Sequence, residues 1–243
     1  MRSFLVACQF LTVCPWFRVI DPSAEEIAEA SAFFPLVGVL LGAILSLVNW
    51  LLAPYVPVEF LSALLVTLLA LLTRGLHLDG LADTFDGLGA GGDCEHVLTV
   101  MDDSRTGVFG VLAIVLVTAL KLRAIAFLND GRWQALLIAP VLGRWAMVVL
   151  GYKSQPAREG LGKTIVQHMR GQDLLIATII CLTLVLLFSG RPGVGVVMVI
   201  FIFSLGCKRY LHRRIGGVTG DTFGAVGELS ETSALVLLAL AQQ

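Results

Sequence analysis

Apolar stretches recur along this 243-residue chain at lengths that suit a bilayer rather than a soluble core. A membrane-crossing helix needs about 20 mostly apolar residues, within a range of about 17–25. Stretches of this kind fill residues 35–53, 59–73, 108–128, 134–150, 174–189, 194–206 and 232–240. The sixth is short, and the seventh suits a re-entrant or interfacial segment as well as a crossing. The pattern therefore predicts six spans, or seven if the last one crosses. Gly38 and Gly42 stand four apart on the first span, a spacing that suits close helix packing. Residues 4–17 are also apolar but are broken by Pro15. Within them Leu5-Val6-Ala7-Cys8 resembles a lipoprotein cleavage box. The apolar run before it falls short of the roughly 7–15 residues of an export signal, so the N-terminus is expected to be retained.

The polar segments between spans alternate in length. Residues 54–58, 129–133 and 190–193 are short, whereas 74–106, 151–173 and 207–231 are long. Two spans separate each long segment from the next, which puts all three on one face. The long segments hold ten basic residues, against only Arg132 and Arg191 in the short ones. Basic residues mark the cytoplasmic side of a membrane protein. Any chemistry carried by the long segments is thus expected on the cytoplasmic face.

Composition agrees with the pattern. Hydrophobic residues make up 57% of the chain and charged residues 14%, with a mean hydropathy of +0.87. A soluble domain carries about 25% charged and 45–50% apolar residues. This excludes a soluble enzyme, a nucleic-acid binder and a disordered chain. The net charge of −1 adds no field that would gather polyanions. Cys8, Cys14, Cys94, Cys181 and Cys207 are scattered and odd in number, which suggests neither a disulfide framework nor a zinc cluster. The expected architecture is one all-α, polytopic membrane domain over residues 1–243, embedded in the lipid bilayer.

Three constellations carry candidate chemistry. In the first, Asp79, Asp83 and Asp86 stand at i, i+4 and i+7. At about 100° per residue they share one narrow helix face. Three carboxylates so close repel one another unless a cation or protons intervene. Oxygen ligands without Cys or clustered His suit Mg²⁺ or Mn²⁺. Their neighbours are Leu, Ala, Gly and Phe, which favours a polar cavity over a solvated acidic face. The second constellation, Asp102-Asp103-Ser104-Arg105, precedes the third span. Asp102 and Ser104 also suit a helix start, whereas Asp103 and Arg105 look more like a metal ligand and a phosphate clamp. In the third, four glycines from Gly216 to Gly224 surround Asp221, ahead of Glu228 and Glu231. They allow close backbone approach to a phosphate, although the composition also suits a plain flexible loop. Gly87, Gly89 and Gly92 fit a dinucleotide fingerprint without its βαβ context. Gly162-Lys163-Thr164 lacks the first glycine of a phosphate loop. His96, His168 and His212 are isolated, which leaves His77, two residues before Asp79, as the histidine to follow.

These residues resemble the cobalamin synthase family, the adenosylcobinamide-GDP ribazoletransferases. The likeness is carried by residues 75–83 with Asp86, by Met101, Asp103-Ser104-Arg105, Gly107, Phe109 and Gly110, and by Gly143-Arg144. It continues in residues 157–162, Gly216-Gly217, Thr219-Gly220-Asp221, Gly224-Ala225, Glu228 and Glu231. Pro35-Leu36-Val37-Gly38 matches as well. Thr12-Val13-Cys14-Pro15 departs from the family's pattern in lacking an arginine. The resemblance implies an inner-membrane, Mg²⁺-dependent enzyme. It joins α-ribazole, or its 5′-phosphate, to adenosylcobinamide-GDP, releasing GMP and forming adenosylcobalamin or its 5′-phosphate.

Under this reading Asp79, Asp83, Asp86 and Asp103 hold Mg²⁺ (or Mn²⁺), and an aspartate such as Asp83, or His77, takes a hydroxyl proton. Arg105, Arg158 and Arg144 clamp the diphosphate, and Gly220-Asp221 closes the site. No nucleic acid is expected, and homo-oligomerisation is left open. The rivals are a CDP-alcohol phosphotransferase-like enzyme, whose Ala-Arg pair after the second aspartate is missing here, and a cation-coupled secondary transporter. Against the transporter, the acids cluster at one face and no inverted repeat is visible.

Overall fold

The computed structural model describes residues 2–13, 19, 21–129 and 131–241. Cys14 and Pro15 lie outside them. The described chain is helical: α1 (Arg2–Leu11), α2 (Ala24–Ala30), a 3₁₀ turn (Ser31–Phe33), α3 (Phe34–Leu52), α4 (Val58–Leu72), α5 (Leu76–Ala90) and α6 (Cys94–Met101). There follow α7 (Val108–Phe127), α8 (Arg132–Gly151), α9 (Leu161–His168), α10 (Gly171–Ile215) and α11 (Gly220–Leu240). Among the described residues five helices are long and apolar enough to cross a membrane, and the bent pair α4–α5 makes a sixth. This is a multi-pass membrane protein.

Helix α8 is the axis of the bundle, buried without interruption from Ala135 to Gly151. α3, α10 and α11 pack around it. The α3 contact uses the two glycines singled out in the sequence. A Cβ on Gly38 would lie 2.6 Å from the Pro140 carbonyl oxygen, and one on Gly42 would lie 2.6 Å from that of Leu137. Backbone thus touches backbone, as small residues permit between membrane helices.

Helix α10 is 45 residues long, about twice what a bilayer needs. It doubles back at Gly190, whose φ of 57° and ψ of −147° are open to glycine alone. Both arms then lie along α8. Trp145 donates a hydrogen bond to Thr178 Oγ1 of the first arm at 3.1 Å and stacks on Phe201 of the second. Pro192 sits in the first turn of the second arm, where its missing N–H is no loss. Counting both arms, the described residues traverse the bundle seven times. The expected loop at 190–193 shrinks to one residue.

The segment 207–231, expected as a long polar loop, is also largely helical. The second arm of α10 runs on to Ile215, and α11 begins at Gly220, opened by reciprocal hydrogen bonds between Thr219 and Thr222. The C-terminal stretch is therefore a full 21-residue helix, and Glu228 and Glu231 lie inside it. The polar composition of these residues signals buried partners, not solvent.

One bend positions the site. Arg74 and Gly75 both take left-handed backbone angles, with φ of 56° and 67°, and turn α5 by 87° from α4. The turn is held by Gly75 N–H donating to the Ala70 carbonyl at 2.8 Å. α5 then crosses the start of α11 at Gly80, where an added Cβ would lie 2.7 Å from the Asp221 carbonyl oxygen. Gly80→Ala is expected to destabilise the protein by about 1–3 kcal/mol, the usual cost of overpacking. Gly195→Ala, which meets open space, should leave stability unchanged or raise it. Thermal unfolding in detergent compares the two; an unshifted Gly80→Ala would mean that this crossing is not tightly packed.

Candidate active site

The crossing of α5 and α11 gathers charge at one end of the bundle. Asp79 and Asp83 project from α5, and Asp221 from the first turn of α11. Asp83 lies within electrostatic reach of Asp79, Asp221, Asp86 and Arg158. Arg158 is brought in by a short β-like zipper between two loops: Val218 N–H donates to the Gln155 carbonyl, and Ala157 N–H to the Val218 carbonyl, both at 2.9 Å. Its guanidinium then bridges Asp221, at 2.6 Å, and Asp102. Thr219 Oγ1 donates to Asp221 at 3.2 Å.

The acidic residues divide by what they already hold. Asp86 is buried and accepts from the backbone N–H groups of Gly107, at 2.6 Å, and Gly110, at 2.8 Å. It is the anion at the N-terminus of α7, which has no cap of its own. The helix-start role weighed for Asp102 and Ser104 is thus filled from another helix. Asp103 is turned onto its neighbour Arg105, whose hydrogen bonds hold its carboxyl down at about 2. That pair sits in an exposed turn, with the Arg105 side chain 87% exposed. Asp102 and Asp221 share Arg158. Among the described residues, Asp79 and Asp83 alone of the four expected ligands make no side-chain hydrogen bond or ion pair.

The donor chemistry of that free pair suits a hard divalent cation. Among the described residues no three His, Cys, Asp or Glu side chains converge as a closed metal cage. Mg²⁺ does not require one, since it is commonly held by one or two carboxylates with the remainder from phosphates and water. The residues present fit such a shared site.

A second group of charges lies deeper. Arg144 of α8, 1% exposed, pairs with Glu231 of α11, and its Nη2 donates to His77 Nδ1 of α5 at 3.2 Å. Lys121 of α7 reaches both Glu228 and Glu231 at 2.5 Å. Two cations and two anions from three helices thus form one buried network, with His77 attached from a fourth. His77 Nε2 and Arg144 Nε are buried with no partner among the described residues. Arg144, expected as a phosphate clamp, is committed here to Glu231 and His77.

Three neighbouring cavities open at this end of the bundle, two of them lined by carboxylates. One of about 200 Å³ is lined by His77, Asp79 and Asp221 among apolar side chains that include Phe10, Phe34 and Phe223. A larger, more polar one of about 600 Å³ shares Phe10, Leu76 and Asp79 and adds Thr73, Arg74 and Thr106. The third, of about 290 Å³, continues along α1 and α9. Asp79 faces both of the first two.

The chain matches the model of the family described as Cobalamin-5-phosphate synthase over residues 3–239. It belongs to that family. It is similar to proteins named adenosylcobinamide-GDP ribazoletransferase in Geotalea daltonii (38% identity over 98% of this chain and 97% of that one) and Syntrophobacter fumaroxidans (41%, over 96% of each). The relative of that name in Pseudomonas fluorescens is 39% identical over 99% of this chain and all of its own. No solved structure matches. Family membership does not favour the phosphotransferase or transporter alternatives.

For a member of this family, the structure adds residues that sequence reasoning passed over. Lys121 stands, with Arg123, inside an apolar span, which is itself a signal, because intramembrane charges are rare and paired. Phe10, Phe34 and Phe223 could not be separated from ordinary apolar positions before the helices were assembled. His212, isolated in the sequence, has a structural role, since its Nε2 accepts from Gln155 N–H at 3.0 Å. Removing one member of the buried network should be far worse than removing a surface charge. Glu231→Ala leaves buried Arg144 without a carboxylate and Lys121 with Glu228 alone, and is expected to cost about 3–5 kcal/mol. Exposed Glu159→Ala should change stability by less than about 1 kcal/mol. Thermal midpoints in detergent would show it; equal effects would contradict the buried network.

Proposed function

We propose that this chain is an adenosylcobinamide-GDP ribazoletransferase. A ribose hydroxyl of α-ribazole, or of its 5′-phosphate, forms a bond to the phosphorus that carries cobinamide. The bond from that phosphorus to the bridging oxygen breaks, and GMP leaves. The products are adenosylcobalamin, or its 5′-phosphate, and GMP. The observation that carries the reading is likeness over at least 96% of the chain to relatives bearing that name. The site supports it with two uncommitted carboxylates beside an arginine-held acidic cluster, a chemistry suited to diphosphates.

Phosphoryl transfer depends mainly on positioning and on neutralising charge. Asp79 and Asp83 would hold Mg²⁺, which supplies Lewis-acid neutralisation of the phosphate oxygens. Arg158 exchanges Asp102, whose side chain is 66% exposed, for a substrate oxygen and so clamps the diphosphate. A carboxylate of the cluster accepts the hydroxyl proton. The left-handed turn at Arg74-Gly75 holds α5 at the angle that presents its acids to the cavities. The excess of basic residues on the long segments supports the cytoplasmic face of the inner membrane as the site's location.

Purified protein reconstituted in lipid, given both substrates and Mg²⁺, is expected to release GMP in a one-to-one ratio with corrinoid product. Asp83→Asn keeps the side-chain shape and removes its charge, so it should stay folded and lose about 10²-fold or more in turnover. Full turnover by Asp83→Asn at saturating Mg²⁺ would remove that residue from the metal site. No GMP from folded wild-type protein would overturn the transferase reading itself.

A further inference from the structure

The buried network dictates where the hydrogen on His77 sits. Arg144 carries donors and no acceptor. Its Nη2 faces His77 Nδ1 at 3.2 Å, so Nδ1 presents its lone pair. In the neutral ring the hydrogen is then on Nε2. That Nε2–H is buried and has no partner among the described residues, and His77 is 3% exposed. A buried donor left unsatisfied is expensive, so a ligand acceptor placed against it is strongly favoured.

His77 also forms part of the wall of the 200 Å³ cavity between α5, α9 and α11. The rest of that wall is chiefly apolar, with Phe10, Phe34, Leu76, Met147, Ile165 and Phe223, and two carboxylates, Asp79 and Asp221, complete it. The carboxylates repel an anion. The size excludes a macrocycle, whereas an apolar cavity of about 150 Å³ already takes up a single aromatic ring. The occupant these features select is neutral, flat, aromatic, about two rings in size, and equipped with one hydrogen-bond acceptor.

We infer that this cavity seats the aromatic base of the ribazole, with His77 Nε2–H donating to the base's unsubstituted ring nitrogen. The inference rests on the transferase reading above and gives one of its substrates a place. A base held there leaves its ribose at the carboxylate end, beside Asp79 and Asp221, where a hydroxyl meets the reacting phosphate. Arg144 and Glu231 become positioning residues, because they fix the ring's hydrogen on Nε2 without touching the base.

The test compares two ribosides as acceptors for adenosylcobinamide-GDP, using the full chain in lipid nanodiscs and reading GMP release. One is α-ribazole. The other is its indole counterpart, in which C–H replaces the acceptor nitrogen. Wild-type protein should show a KM about 10- to 100-fold higher for the indole riboside, with kcat little changed. His77→Leu should raise the KM for α-ribazole to the same level and abolish the discrimination. His77→Gln, which can both accept from Arg144 and donate, should restore part of it. Equal KM values for the two ribosides in wild type would overturn the assignment, with no variant needed. Discrimination that survives in His77→Leu would overturn it as well. Absence of GMP release with α-ribazole would instead count against the transferase reading, so the two failures are distinguishable.

Discussion

Everything at the functional end of this bundle hangs on charges buried in an apolar layer. Arg144, Glu231, Lys121 and Glu228 sit on α8, α11 and α7 with almost no exposure. A single such charge inside a membrane costs at least about 2.5–3.5 kcal/mol. Grouped, the four sum to zero and pair with one another. Such a network adds little net stability over an apolar core of the same shape, but breaking it is severe, so its main effect is on geometry. It fixes the rotation of α11 against α7 and α8. Through Arg144 and His77 it also fixes α5, the helix that carries the acids.

Above that lock, packing and capping decide which carboxylates are free. Gly80 lets α5 lie directly on the backbone of Asp221, which brings acids of two distant segments together. Asp86 is drawn down to cap α7, and Asp103 folds onto Arg105. Asp79 and Asp83 remain uncommitted, and Asp79 faces two cavities of different character. One is small and apolar; the other is larger and polar. The proposed transfer brings two unlike substrates to one phosphorus, and two cavities of unlike character meeting at Asp79 are consistent with it.

Much of this was legible in the sequence, for identifiable reasons. Span number and order followed from apolar run length, because a bilayer imposes a length. The i, i+4, i+7 spacing of the aspartates put them on one helix face, as observed. The division of labour among them was not legible. Asp86 is a cap only because Gly107 and Gly110, more than twenty residues away, arrive beside it. The polar residues 216–231 read as a loop because Glu228 and Glu231 gave no sign that Lys121 and Arg144 would meet them in the interior. Arg144 looked like a substrate clamp for the same reason, since its partner lies 87 residues away.

The central claim is that commitment sorts these carboxylates, leaving Asp79 and Asp83 for a divalent cation and assigning Asp86 and Asp103 to the protein itself. Mn²⁺ binding followed by electron paramagnetic resonance tests it directly, in nanodisc-embedded protein with adenosylcobinamide-GDP present. Asp79→Asn and Asp83→Asn should each abolish the tight Mn²⁺ signal while the protein stays folded, and folded Asp86→Asn and Asp103→Asn should keep it. Loss of the signal in Asp86→Asn or Asp103→Asn, with retention in Asp83→Asn, would contradict that division.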